Sequence, residues 1–213
     1  MKYQDYVIKD GTLIGNFEEM YHESSKIPWH QDETAYAIFS DLDIVILKNM
    51  QKSYNFQKVA DIACGLGYFT QRVADEVLIE NNISGFDISE TAVKQANQRF
   101  PQISFQVLDI LKKVPLKLKN AYDLVICKEC HWYVLHQLDY FQKQLLDISS
   151  AYVYICQSFP ENDTYLGKEV FPNPETLLSF WSKRCEVIYT NIETDQKYGN
   201  RSLIHIFLKK ELS

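Results

Sequence analysis

A chain of 213 residues is long enough to bury one sizeable core and short for two. Its 46% hydrophobic and 23% charged residues are ordinary for a globular protein and argue against disorder as its main property. The net charge is −6, and cations gather only in isolated pairs such as Lys112-Lys113 and Lys209-Lys210. Polynucleotide binding needs clustered cations that displace counterions, so a nucleic-acid substrate is disfavoured.

The five cysteines are odd in number, and three lie in apolar, strand-like runs. They read as buried free thiols of a reduced, cytoplasmic protein. The N-terminus carries no apolar signal segment, and no apolar run approaches a membrane span. No membrane partner is expected.

Residues 1–32 are polar and aromatic, with Tyr21, Pro28 and Trp29 prominent. Residues 34–48 read as a helix with Ala37, Ile38, Leu42, Val45 and Ile46 on one face. Residues 1–53 are expected to cap a core of residues 54–213 within a single domain, 1–213. The core opens with a strand over 59–63, then glycines, then a helix over 68–78 with Phe69, Val73, Ala74 and Val77 at helical spacing. A second strand, 83–86, ends at Asp87; Ser89 suits an N-cap for a helix over 90–99, which Pro101 ends. A third strand, 103–108, ends at Asp109. Strands over 122–127 and 152–156 flank a helix over 138–148.

Residues 157–174 hold Pro160, Asn162, Asp163, Gly167, Pro172 and Pro174, and read as a long loop. A helix over 175–183 follows. Strands over 186–192 and 202–208 are joined by a polar turn containing Gly199-Asn200, which makes a hairpin. Strands alternating with helices predict an α/β fold: a mostly parallel seven-stranded sheet, helices on both faces, and one antiparallel strand near the C-terminus.

The strongest chemical signal is the run Val59-Ala60-Asp61-Ile62-Ala63-Cys64-Gly65-Leu66-Gly67, a strand that enters a Gly-rich turn and opens a helix. Glycine suits a sharp turn that a ligand approaches closely, and the helix start offers free N–H groups. A tight turn without a ligand would use the same residues. Asp87, twenty residues after Gly67, can accept both hydroxyl hydrogens of a ribose or cap the next helix. Asp109 can take an adenine amino group, with the N–H of Ile110 meeting a ring nitrogen; a solvated loop carboxylate is the plain alternative. A nicotinamide-dinucleotide enzyme wants a third glycine where Thr70 stands.

This spacing, Asp61-x-Ala63-x-Gly65-x-Gly67 followed by Asp87 and Asp109, resembles the class I S-adenosylmethionine (SAM) dependent methyltransferases, with Ala63 in place of the first of three glycines. The resemblance implies a Rossmann-like core that binds SAM and releases S-adenosylhomocysteine (SAH). It implies that the turn at Asp61, Ala63, Cys64, Gly65 and Gly67 holds the methionine part. It also implies that Asp87 with Ile88 holds the ribose side, and Asp109 with Ile110 the adenine. Lys128, Tyr21 and Trp29 complete the expected cofactor contacts. The stretch from Glu129 to Val134 looks like that of nodulation-protein-S-like sugar N-methyltransferases. Tyr21 and Pro28-Trp29 are similar to elements of that group, with Ile27 in place of its Asp.

His131 stands where the family is usually apolar, and an imidazole beside the transferred methyl could be a general base. Packing with Trp132 and Tyr133 is the alternative, and Glu129 competes for the role. Cys127-Lys128-Glu129-Cys130-His131 lacks a second ligand pair, so no metal is expected. The resulting expectation is methyl transfer to an O or N atom of a small molecule. The subgroup resemblance points to a sugar or sugar-nucleotide in glycan or secondary-metabolite tailoring, by a monomer or homodimer. Aminopropyl transfer, or a non-catalytic SAM-binding module, would use the same cradle.

Overall fold

The computed structural model describes residues 2–32, 40–78, 80, 82–161, 165–195 and 201–211. They belong to two compact units, Met1–Asp109 and Ile110–Ser213. The strands form a short N-terminal pair and a mostly parallel seven-stranded sheet with an antiparallel C-terminal part, the expected α/β architecture. No described helix is long and apolar enough to cross a membrane.

The first unit begins with an antiparallel pair, β1 (Ile8–Lys9) and β2 (Thr12–Leu13), then α1 (Phe17–Glu23) and α2 (Asp41–Tyr54). Its sheet strands are β3 (Val59–Ile62), β4 (Ile83–Asp87) and β5 (Ser104–Val107), parallel and in the order β5-β4-β3. All of β3 is buried, as a parallel strand with covered faces requires. Helix α3 (Tyr68–Glu76) buries Phe69, Thr70, Val73 and Ala74. Helix α4 (Glu90–Arg99) buries Ala92, Val93 and Ala96, and starts where Ser89 Oγ accepts the Ala92 N–H at 3.1 Å.

In the second unit β6 (Tyr122–Lys128) and β7 (Ser149–Pro160) are parallel. Strand β9 (Arg201–Lys210) runs antiparallel to β7 on one side and to β8 (Cys185–Asp195) on the other. Helix α5 (Leu138–Ile148) has the predicted limits, and α6 (Pro174–Trp181) starts at an Asn173 cap.

Two predicted boundaries shift markedly. The loop expected to begin at Gln157 begins later, because β7 continues to Pro160. Its extra residues pair with β9, from Gln157 opposite Ile204 to Pro160 opposite Arg201. Pairing and burial of Gln157, Ser158 and Phe159 override the local turn signal of Pro160. Helix α2 also runs six residues past the expected end at 48, to Tyr54. Thr34, Ala37 and Ile38 of that prediction, Asn162 and Asp163 of the loop, and the Gly199-Asn200 turn lie outside the described residues.

Gly85, inside β4, has a packing reason to be glycine. A Cβ there would lie 2.6 Å from Phe105 Cε1 and 2.9 Å from Cys64 Sγ. Gly85→Ala is therefore expected to destabilise the protein by about 1–3 kcal/mol, as overpacked cores do. A urea unfolding curve checks this: an unchanged midpoint would mean that the Phe105 ring moves aside freely.

Candidate active site

The Gly-rich turn leaves the carboxyl end of β3 and becomes the start of α3. Ala63, Gly65 and Gly67 have φ of 62°, 54° and 81°, so all three occupy the left-handed region. Ala63 keeps the backbone shape of the glycine it replaces, at a cost of about 1–2 kcal/mol for an L-residue. Asp61 is buried, and its Oδ2 accepts the Thr70 hydroxyl at 2.6 Å. The residue that breaks the dinucleotide motif thus partners the acid that begins the turn.

Asp87 ends β4 and holds the turn in place. Its Oδ2 accepts the Gly65 N–H at 2.8 Å and its Oδ1 the Ser89 N–H at 3.0 Å. Burial raises its carboxyl above the usual carboxylate value, while the backbone donors Ser89, Gly65 and Ile88 pull the other way. Asp87 and the Gly-rich turn are therefore joined directly. Ile88 is 48% exposed beside them, and Asp109 lies half-buried just past β5. Cys64 is buried behind the turn, its thiol pushed well above the ordinary range by burial and by Asp87 and Asp61.

The N-terminal segment reaches the same turn. Tyr21 Oη lies 2.8 Å from where a Cβ on Gly65 would stand. Trp29 has φ 60° and packs edge-on to Tyr3, with centroids 5.1 Å apart. Two residues missed by sequence reasoning make the polar links. Gln31 Oε1 accepts the Leu66 N–H at 3.1 Å. Glu18, on α1, accepts from Ser89 Oγ at 2.5 Å and from the Thr91 N–H at 3.1 Å. Partial burial opposes ionisation of Glu18, but these donors outweigh it and lower its carboxyl. Only sequence distance hid both, since neither sits in a motif.

In the second unit, Lys128 ends β6 and is buried, with Nζ 3.7 Å from Cys156 Sγ. Glu129 follows at φ 56°, and His131 opens a 3-10 turn, His131–Tyr133. Ile110, at the start of this unit, is buried.

Trp181 Nε1 is donor-only and gives its hydrogen to His131 Nε2 at 3.0 Å. Nδ1 must then carry the ring hydrogen, and it meets Gln157 Oε1 at 3.3 Å. Gln157 Nε2 donates to Glu129 Oε2 at 3.1 Å, and Ser158 Oγ donates to the same oxygen at 2.6 Å. Both imidazole nitrogens are thus committed, and the ring is fully buried against Phe141 and Phe171. Burial lowers its pKa to about 4, with Gln157 opposing weakly. His131 therefore sits as a packed ring, with Phe141, Phe171 and Trp181 as its ring partners where Trp132 and Tyr133 were expected. Gln157, Ser158 and Trp181 were missed because they lie in the expected loop or in a helix read only for its periodicity.

A family model described as a methyltransferase domain matches residues 55–200. The protein "Putative methyltransferase 235L" of Invertebrate iridescent virus 6 is 27% identical over 175 residues, which cover 79% of this chain and 64% of that protein. The chain thus spans a little under two thirds of that relative's length. Among solved structures, the N-methyltransferase NodS of Bradyrhizobium japonicum WM9, in complex with SAH, superposes with a TM-score of 0.71 at 15% identity, covering 92% of this chain and 100% of NodS. The magnesium protoporphyrin IX methyltransferase ChlM of Synechocystis PCC 6803, with bound SAM, gives 0.63 at 16% identity, over 97% of this chain and 94% of ChlM.

The depressed His131 pKa has a consequence for stability. The unfolded chain takes up this proton near pH 6.5 and the folded chain only near 4. The contribution is present above the unfolded value and is lost as pH falls through this window, amounting to about 2 kcal/mol between pH 7 and pH 5. Chemical denaturation at both pH values should show this loss in the wild type. His131→Asn should lack that component. Equal pH slopes in the two proteins would mean that His131 is not buried neutral.

Proposed function

The chain belongs to the methyltransferase domain family, and from that premise we propose that it moves a methyl group from SAM to an O or N atom of a small molecule. One observation carries this reading: the Asp87 carboxylate bonded to the Gly65 backbone, at the carboxyl ends of adjacent parallel strands. Ligands of open α/β sheets gather at those ends. The bound SAM and SAH of the two solved methyltransferases support the same cofactor here.

The residues present fit it. A carboxylate has about four lone-pair sites, and three backbone donors act on Asp87. Capacity remains for a ribose hydroxyl. The turn from Asp61 to Gly67 would hold the methionine part, with Cys64 behind it. Ile88 offers exposed apolar surface beside Asp87, and Asp109 with Ile110 would meet the adenine. Tyr21, Trp29 and Gln31 would close over the methionine end. SAM supplies a methyl already activated on a sulfonium, so the protein's own work is alignment and the exclusion of water. The resemblance of Glu129 to Val134 to sugar N-methyltransferases supports a sugar or sugar-nucleotide acceptor. Five cysteines, all buried as thiols, support a reducing, cytoplasmic setting.

Titration calorimetry with SAM and SAH tests the reading. Both are expected to bind in the micromolar range. Asp87→Ala should weaken them about tenfold or more, since hydrogen bonds to a charged group contribute about 1.5–3 kcal/mol. If neither binds the wild type, the reading is lost and the Gly turn must serve another nucleotide.

A further inference from the structure

Gln31 belongs to no motif, yet its side-chain amide rests on the Gly-rich turn of its own unit. A Cβ on Gly65 would stand 2.7 Å from Gln31 Nε2 and 3.0 Å from its Oε1, with Tyr21 Oη at 2.8 Å. The bare Cα of Gly65 lets these polar ends come that close. The Leu66 N–H can only donate, so the atom it meets at 3.1 Å is the amide oxygen. The other end of the amide is thereby fixed as the nitrogen, with two hydrogens to give. Among the described residues nothing accepts them. Nor is this nitrogen one of the unpartnered atoms sealed from water.

The chain before it is held in a strained shape. Trp29 and His30 have φ of 60° and 52°, two successive left-handed residues that are not glycine. Tyr3 packs edge-on to both rings, with centroids at 5.1 and 5.9 Å. Such strain persists where the surroundings impose it, and it clusters where ligands are gripped. Gln31 itself is only 9% exposed, so an unused donor there costs more than one at the surface. After the turn, α3 begins with no side-chain cap. Its first N–H groups, like Nε2, can only donate. Both features favour a hydrogen-bond acceptor, and a negative one above all.

We propose that Gln31 binds the carboxylate at the amino-acid end of SAM and makes the site selective for a cofactor that retains it. This rests on the methyltransferase reading and adds which group of the cofactor is recognised, and by which side chain. SAM offers acceptors in its adenine, its ribose and its carboxylate, and only the last is negative. Adenine and ribose belong with Asp109 and Asp87 in that reading, which leaves the carboxylate for the donor surface at Gly65 and Leu66. Gln31 is suited to the task because one end of its amide is anchored to the turn while the other gives hydrogens. The choice bears on the reaction. The donor in aminopropyl transfer is SAM that has lost this carboxylate, and it would leave Nε2 without its acceptor. Gln31 thus favours methyl transfer over the aminopropyl transfer that the same cradle could serve.

Calorimetry on the full chain tests this by comparing SAH with decarboxylated SAH, which keeps the adenosine, the sulfur and the amine. The wild type should bind SAH about tenfold tighter or more, as a hydrogen bond to a charged group implies. Gln31→Glu keeps an oxygen for the Leu66 N–H and turns the donor nitrogen into an acceptor. It should bind SAH about tenfold weaker or more, with decarboxylated SAH no weaker, so that the preference is lost or reversed. Gln31→Met, of similar length and without donors, should also lose the preference, and it decides the matter if the charged variant does not fold. Equal affinity of the wild type for the two ligands overturns the proposal, as does an undiminished preference in the folded variants. If the wild type binds neither ligand, the methyltransferase reading falls, and this proposal with it.

Discussion

A polar group taken out of water must find a partner inside the protein, and both units are organised around meeting that demand. In the first, Asp87 is buried at a strand end and its oxygens are met by backbone N–H groups of the Gly-rich turn and of the following helix start. That pairing fixes the turn against β4. Asp61 is met by Thr70 in the same way. In the second, the indole hydrogen of Trp181 can only be given away, and its direction propagates through His131 and Gln157 to Glu129. The tautomer of the imidazole is therefore set three residues along the chain of bonds from the carboxylate that it helps to orient.

The contrast between His131 and Glu129 shows why residue type alone misleads. A histidine beside a strand end suggests a base because imidazole titrates near neutrality. Burial removes that property, and two neighbours occupy the nitrogens. A glutamate is ordinarily a weak base of little note. With one oxygen satisfied and the other enclosed, it becomes the group with unmet bonding capacity. What a side chain can do depends on which of its lone pairs are already spoken for.

Local signals were legible where the chain's own neighbours decide the outcome. Residues 83–87 and 90–99 follow from a short apolar run, a capping serine and a stopping proline, whereas motif spacing marks Asp87 and Gly65 without joining them to one another. The extension of β7 was not legible, because Gln157 to Pro160 are held by pairing with residues more than forty positions later. Gln31 and Glu18 were hidden for the same reason: their partners, Leu66, Ser89 and Thr91, are distant in the chain. The Trp181–His131 bond joins residues fifty apart, and periodicity marks Trp181 only as apolar.

The five cysteines are all buried thiols, Cys64 in the first unit and Cys127, Cys130, Cys156 and Cys185 in the second. Enclosure that raises the Cys64 and Cys185 thiols also keeps thiolate scarce while the fold is closed. Alkylating reagents would consequently meet these sulfurs chiefly during excursions of the backbone. Their labelling rates become a clock for opening, one hand in each half of the chain, and the order in which the sulfurs react would tell which half loosens first.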